Sequence, residues 1–150
     1  MSDIHTPTVN VADLFAAAVG ASAHAYAPYS GFAVGAAAST ADGRIFAAAN
    51  MENASYGLSV CAEVGALHAA AGAGALGLVT QIAIVGGPVG QPTTGQIVTP
   101  CGRCRQLILE SAQLGEHDIV VHCADTALSV MDRFLISELL PHAFGPANLR

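Results

Sequence analysis

The chain has 150 residues with 53% apolar and 11% charged side chains, which suits one hydrophobic core and excludes both the disordered class and most multidomain enzymes. The formal charge is −6, and of the five cations, all arginines, only Arg103 and Arg105 stand close together, so no basic stripe is available for a nucleic-acid backbone. The longest apolar stretch, within 69–79, is too short and glycine-rich to cross a bilayer, and nothing basic precedes Arg44 to form a secretory signal, so no membrane association and a cytoplasmic location are expected.

Behind Asn10, the residues Val11, Leu14, Phe15, Ala18 and Val19 recur at helical spacing, with Asp13 placed as in a capping box. They predict a helix to about Ala27, before Pro28. Residues 32–39 and 44–49 flank the turn pair Asp42-Gly43 and predict a β-hairpin at a sheet edge. Ser59 is expected to cap a helix that carries Cys61, Glu63 and Ala66 and runs to Ala75, followed by a short buried strand over 81–85. Residues 86–99, rich in Gly, Pro, Thr and Gln, read as a loop, and Pro100 introduces a helix over 101–113. A strand over 119–122 is followed so closely by another over 127–131 that the return must be antiparallel. A short helix over 136–140 ends at Pro141. This order predicts a single domain over 1–150 of the α/β class, a three-layer α/β/α arrangement with a mixed five-stranded sheet. Neither GxxxxGK[ST] nor GxGxxG occurs, so nucleoside triphosphate and dinucleotide binding have no support.

Four cysteines in a reducing compartment point to metal ligation, catalysis or inert core thiols before disulfides. Cys61, Cys101 and Cys104 suit a tetrahedral zinc whose fourth position stays open, the arrangement of a catalytic metal. Cys61 and Glu63 would diverge on a helix flank but can converge from a first turn, and Cys101 and Cys104 can do the same at the next helix. Two helix N-termini aimed at one point would favour thiolate and hydroxide. A lone Cys-x-x-Cys is weak, since a redox dithiol or a structural half-site would also produce it. Cys-x-Glu upstream of Pro-Cys-x-x-Cys is sharper, because it adds a carboxylate that is not a ligand, and it is the Cys₃ form of the zinc deaminase pattern. By itself Glu63 reads as a favourable charge in a first helical turn, and the neighbouring ligands turn that into a proton carrier.

The likeness extends beyond this pattern. Residues 26–36 read Tyr-Ala-Pro-Tyr-Ser-Gly-Phe-Ala-Val-Gly-Ala, 50–57 read Asn-Met-Glu-Asn-Ala-Ser-Tyr-Gly, 100–106 read Pro-Cys-Gly-Arg-Cys-Arg-Gln, and 139–146 read Leu-Leu-Pro-His-Ala-Phe-Gly-Pro. With Cys61-Ala62-Glu63 between them, the sequence resembles the small homotetrameric zinc-dependent cytidine deaminases over nearly its whole length. The resemblance implies hydrolysis of cytidine and deoxycytidine to uridine and deoxyuridine in pyrimidine salvage, one Zn²⁺ per subunit on Cys61, Cys101 and Cys104, and Glu63 as the catalytic proton carrier. It implies that the amide of Ala62 and the carbonyl of Thr99 hold the base, that Phe32 packs on its ring, and that Asn50 and Glu52 bind the 3′-hydroxyl. It further implies that Ala54, Tyr56 and Phe144 reach a nucleoside on a neighbouring subunit of a homotetramer. Without it, Phe32 is equally a core residue, and Asn50 and Glu52, alternating on the second hairpin strand, equally a solvated strand end.

One position departs from the pattern. Many relatives carry Arg after Cys-Ala-Glu, thought to hydrogen-bond the thiolates, and this chain has Val64. Three thiolates on a divalent ion leave a charge of −1 that needs donors, and Arg103, otherwise an exposed helix-start residue, is the candidate for that charge-balancing role. A structural zinc module with Cys123 as fourth ligand is the rival from another class, and it leaves Glu63, Asn50 and Glu52 unexplained; otherwise Cys123 is an inert core thiol. A blasticidin-type aminopyrimidine deaminase shares the cysteine motifs, although residues 50–56 favour a plain nucleoside. Polynucleotide deaminases usually have His-x-Glu and need a basic surface. His5, His24, His68, His117, His122 and His142 lack ligand spacing and are assigned no metal.

Overall fold

A five-stranded mixed sheet in the order β2-β1-β3-β4-β5 organises the molecule, in a computed structural model that describes residues 9–91 and 94–150; His5 lies outside them. Helix α1 (Val11–Ser22) starts where expected, because the Asn10 side chain accepts the Asp13 amide at 2.8 Å. It ends earlier than the sequence predicts. Tyr26 is drawn into extended pairing with the far side of the hairpin, its amide donating to Asn50 O at 3.0 Å and its carbonyl accepting from Glu52 N at 2.8 Å. That remote pairing outweighs the helical spacing before Pro28.

Strands β1 (Phe32–Thr40) and β2 (Ile45–Ala49) form the predicted antiparallel hairpin at one edge of the sheet. Gly43 supplies the left-handed turn conformation at φ 88°. Helix α2 (Ala62–Gly72) has Cys61, not Ser59, at its N-cap position, and the Ser59 hydroxyl instead accepts the Asn53 amide at 3.1 Å. The helix stops at Gly72, short of the expected Ala75. The central strand β3 (Val79–Pro88) is longer than the sequence predicts, because Gly86, Gly87 and Pro88 pair with Val34, Ala33 and Phe32. Helix α3 (Gly102–Gly115) then carries the chain over to β4 (Val120–Asp125), parallel to β3.

The antiparallel return β5 (Met131–Leu135) starts at the end of the segment expected to form it. The Asp125 carboxylate accepts the Ser129 amide at 2.8 Å, and Leu128 adopts φ 55°, so the apolar residues after Asp125 make a turn first. A four-residue helix α4 (Ile136–Leu139) follows.

Two cores make the three layers. On one face Leu14, Phe15 and Ala18 of α1 pack on Ala37, Ala83, Val85 and Ala124. On the other, α2 through Ala66, Leu67 and Ala70, and α3 through Ile108, Leu109 and Ala112, cover Ala36, Ala38, Ile82, Ile84 and Val121. A Cβ at Gly35 would collide with the Ala18 carbonyl, so the α1 backbone rests directly on β1. Cys123 belongs to the second core. Among the described residues no helix is long and apolar enough to cross a membrane.

Candidate metal centre and active site

Helices α2 and α3 both begin on a cysteine. Cys61 and Cys101 are the N-cap residues, extended at φ −69° and −67°, and neither side chain caps its own helix. Cys104 lies in the first turn of α3. The sulfur atoms of Cys61, Cys101 and Cys104 all lie within 4.8 Å of one another, and the first two are 3.9 Å apart. Three soft sulfur donors converging from two helix tips fit zinc in number and chemistry. Among the described residues this is the cluster able to hold a metal ion. Cys123 is fully buried elsewhere in the core, where burial pushes its thiol up to about 12, so the closed four-ligand alternative loses its fourth donor.

Hydrogen bonding to Cys104 draws the Cys61 thiol down to about 6, against its own burial, with Cys101 and the Arg103 charge adding to the shift. Cys104, bonded to the same sulfur and buried, moves in the opposite direction. One proton is thus shed first, and a cation replacing the others completes the thiolate set. Glu63 is 4% exposed, and its Oε2 accepts from Cys104 Sγ at 3.4 Å. Burial raises its carboxyl above the ordinary range.

A cavity of about 260 Å³ opens over these groups, lined by Cys61, Ala62, Glu63 and Cys101, by Thr99, by Asn50 and Glu52, and by Val34, Ser59, Val60 and Val98. Asn50 and Glu52 lie just past the end of β2, not within it, but Met51 bridges to Tyr26 and Val60 and keeps the segment extended. Both side chains are fixed by backbone. Asn50 accepts from Val34 N at 2.9 Å and donates to Phe32 O at 2.9 Å. Glu52 Oε1 accepts the Tyr29 and Ser30 amides at 3.0 and 3.1 Å, and Ser30 leads in holding its carboxyl below the ordinary range.

Other expected site residues stand outside the cavity. Phe32 opens β1 beside it, whereas Ala54, Tyr56 and Phe144 are exposed, Tyr56 at 73% and Phe144 at 63%. Arg103 is exposed and directs Nη1 at the Ser59 carbonyl, 3.4 Å away, while Val64 is buried in α2. The valine walls Val34, Val60 and Val98 were not anticipated, although strand alternation from Phe32 reaches Val34.

Arg105 was also missed, because its partners are remote carbonyls. Its guanidinium donates to Pro100 O at 2.8 Å and to Leu139 O at 2.9 Å, bracing the loop before Cys101 against the end of α4. Further along the same helix, Gln106 donates to Phe144 O at 2.8 Å, the Gln113 side chain accepts Ala147 N at 2.9 Å, and Arg150 donates to Gln113 O at 3.0 Å.

The family model for the cytidine and deoxycytidylate deaminase zinc-binding region matches residues 9–123. The chain belongs to this deaminase family. A cytidine deaminase of Mycobacterium tuberculosis is 44% identical over 132 residues, covering 86% of this chain and 85% of that protein. A cytidine deaminase of Halalkalibacterium halodurans is 41% identical, over 83% and 86% of the two chains. Among solved structures, the cytidine deaminase of Burkholderia pseudomallei superposes with a TM-score of 0.79 at 41% identity, over 91% of this chain and all of that one. The α/β/α deaminase fold and its zinc-binding character follow from these matches together with the three-cysteine cluster.

Because Arg105 holds the loop that delivers Cys101, Arg105→Ala should weaken zinc retention by about tenfold or more in chelator competition, with Arg105→Lys recovering only part.

Proposed function

We infer that this deaminase hydrolyses cytidine and deoxycytidine to uridine and deoxyuridine with release of ammonia, as a step of pyrimidine salvage in the cytoplasm. The observation that carries this reading is a buried carboxylate, Glu63, against a metal-ligating thiol on the floor of a cavity whose rim presents Asn50 and Glu52. Zinc held by Cys61, Cys101 and Cys104, one per subunit, supplies the acidity that makes water a nucleophile at neutral pH.

Glu63 takes one proton from the water that attacks C4 and passes it to ring N3, then takes the proton of the new C4 hydroxyl and gives it to the amine, which leaves as ammonia while C4 becomes the carbonyl. Its burial excludes bulk water from these transfers. The Ala62 amide, in the unpaired first turn of α2, holds the base oxygen, and the Thr99 carbonyl accepts from the amino group. Phe32, which lies with Val98 against Gly86, packs on the ring. Glu52, anchored through Oε1 by two backbone amides, binds the sugar 3′-hydroxyl next to Asn50.

The assembly proposed is a homotetramer with shared sites. Tyr26, Tyr29, Met51, Tyr56 and Leu58 are each between 49% and 73% exposed, an apolar group that a second copy would cover. Ala54 and Tyr56 in that stretch, and Phe144 on the tail, would complete a neighbour's site. Arg103 is proposed to balance the thiolate charge in place of the arginine that Val64 lacks, supported by its pull on Cys61.

Glu63→Gln should keep fold and zinc while kcat for cytidine falls by on the order of 10³; near-normal turnover would end the mechanism. Glu52→Ala should raise KM for cytidine by about tenfold while leaving the free base cytosine much less affected. Sedimentation should give four times the chain mass of 15.1 kDa, and a fully active monomer would contradict the shared sites. Arg103→Ala should lower both turnover and zinc retention, with Val64→Arg in that background restoring part of each. Unchanged zinc retention would leave the thiolates balanced by backbone donors alone.

A further inference from the structure

We infer that Gly86, which contributes no side chain to the site, sets the width of the base-binding slot by letting Val98 and Phe32 lie against bare β3. The inference rests on the nucleoside reading above.

Gly86 pairs with Val34 on β1 and Asp125 on β4. Strand alternation puts it on the same face as Ile82 and Ile84, the face covered by α2 and α3 and occupied by the cavity. Its φ lies outside the left-handed region, so nothing in the backbone demands glycine there. Space demands it. A Cβ at this position would meet Val98 Cγ2 at 2.9 Å, Val98 Cβ at 3.3 Å and Phe32 Cε1 at 3.2 Å. Both neighbours are crowded at once, so neither can yield toward the other.

Val98 lines the cavity directly, and it stands one residue before Thr99 and three before Cys101. A methyl group on β3 therefore pushes an apolar wall of the slot inward, against a flat ring already confined by Val34 and Val60. The three atoms nearest a Cβ at position 86 belong to Val98 and Phe32, not to Glu63 or the cysteines. The expected result is a loss of binding without a matching loss of chemistry, which makes Gly86 a positioning residue acting through Val98 and Phe32.

Gly87 provides the control. It lies on the same strand and faces the opposite side, and among the described residues the nearest atom a Cβ there meets is Thr126 Oγ1 at 3.4 Å. Gly86→Ala should raise KM for cytidine about tenfold with zinc content unchanged and kcat altered much less, as overpacking of a close-packed wall requires. Gly87→Ala should leave both constants near those of the unaltered chain. Gly86→Ala with Val98→Ala should recover most of KM, because the methyl added at one position fills space vacated at the other. An unchanged KM in Gly86→Ala, or no recovery in the double variant, overturns the inference. If Gly86→Ala does not fold, a folded double variant with near-native KM supports it, and a double variant that also fails to fold overturns it. If the unaltered enzyme does not turn over cytidine, the functional reading fails separately. The Val98 methyl resonances then decide, by shifting in Gly86→Ala but not in Gly87→Ala or by shifting alike in both.

Discussion

The site depends on two helix N-termini brought to one point over one face of the sheet. Cys61 and Cys101 occupy positions where Ser, Thr, Asp or Asn would normally bond to the first-turn amides, and both leave those amides without a side-chain cap. Each missing cap costs about 1 kcal/mol. Burial of α2 and α3 against the sheet offsets this, since Ala66, Leu67, Ile108 and Leu109 lose nearly all contact with water. The uncapped first turns leave two positive helix ends at the point where the sulfur atoms converge. The same electrostatic economy removes the need for a dense set of cations, which this arginine-poor chain does not have.

The cavity lining is mixed. Valines on β1, on the segment entering α2 and on the segment entering α3 supply apolar wall. Asn50 and Glu52 supply polar groups, each held by backbone groups before any ligand arrives. Preorganised polar groups avoid the ordering cost that mobile side chains would incur on binding. The hairpin is what makes this possible, because the chain leaving β2 stays extended through Met51 between Tyr26 and Val60.

The metal residues were legible because their spacing carries chemistry that does not depend on the rest of the fold. Asn10 as a helix cap and Asp42-Gly43 as a turn were legible for the same reason, since their hydrogen bonds close within a few residues. Other boundaries were set by distant partners. Tyr26 leaves the helical pattern to pair with Asn50 and Glu52, Gly86 to Pro88 become strand because β1 lies alongside, and the Asp125 carboxylate converts the start of an apolar run into a turn. Ser59 has the composition of a helix cap, yet its hydroxyl serves Asn53. Arg105 and Gly86 were opaque for complementary reasons. One acts through carbonyls that every residue possesses, and the other through atoms it lacks.

The brace on the metal loop also imposes an order on synthesis. Cys61, Cys101 and Cys104 leave the ribosome before Leu139, whose carbonyl receives the Arg105 guanidinium, and before Phe144, which Gln106 holds. A nascent chain that ends between Cys104 and Met131 has Cys61, Cys101 and Cys104 but neither the α4 anchor nor the β5 edge. Zinc captured at that stage would sit on an unbraced loop and exchange readily. Tight metal retention is therefore expected only after α4 and the segment around Phe144 have docked against α3.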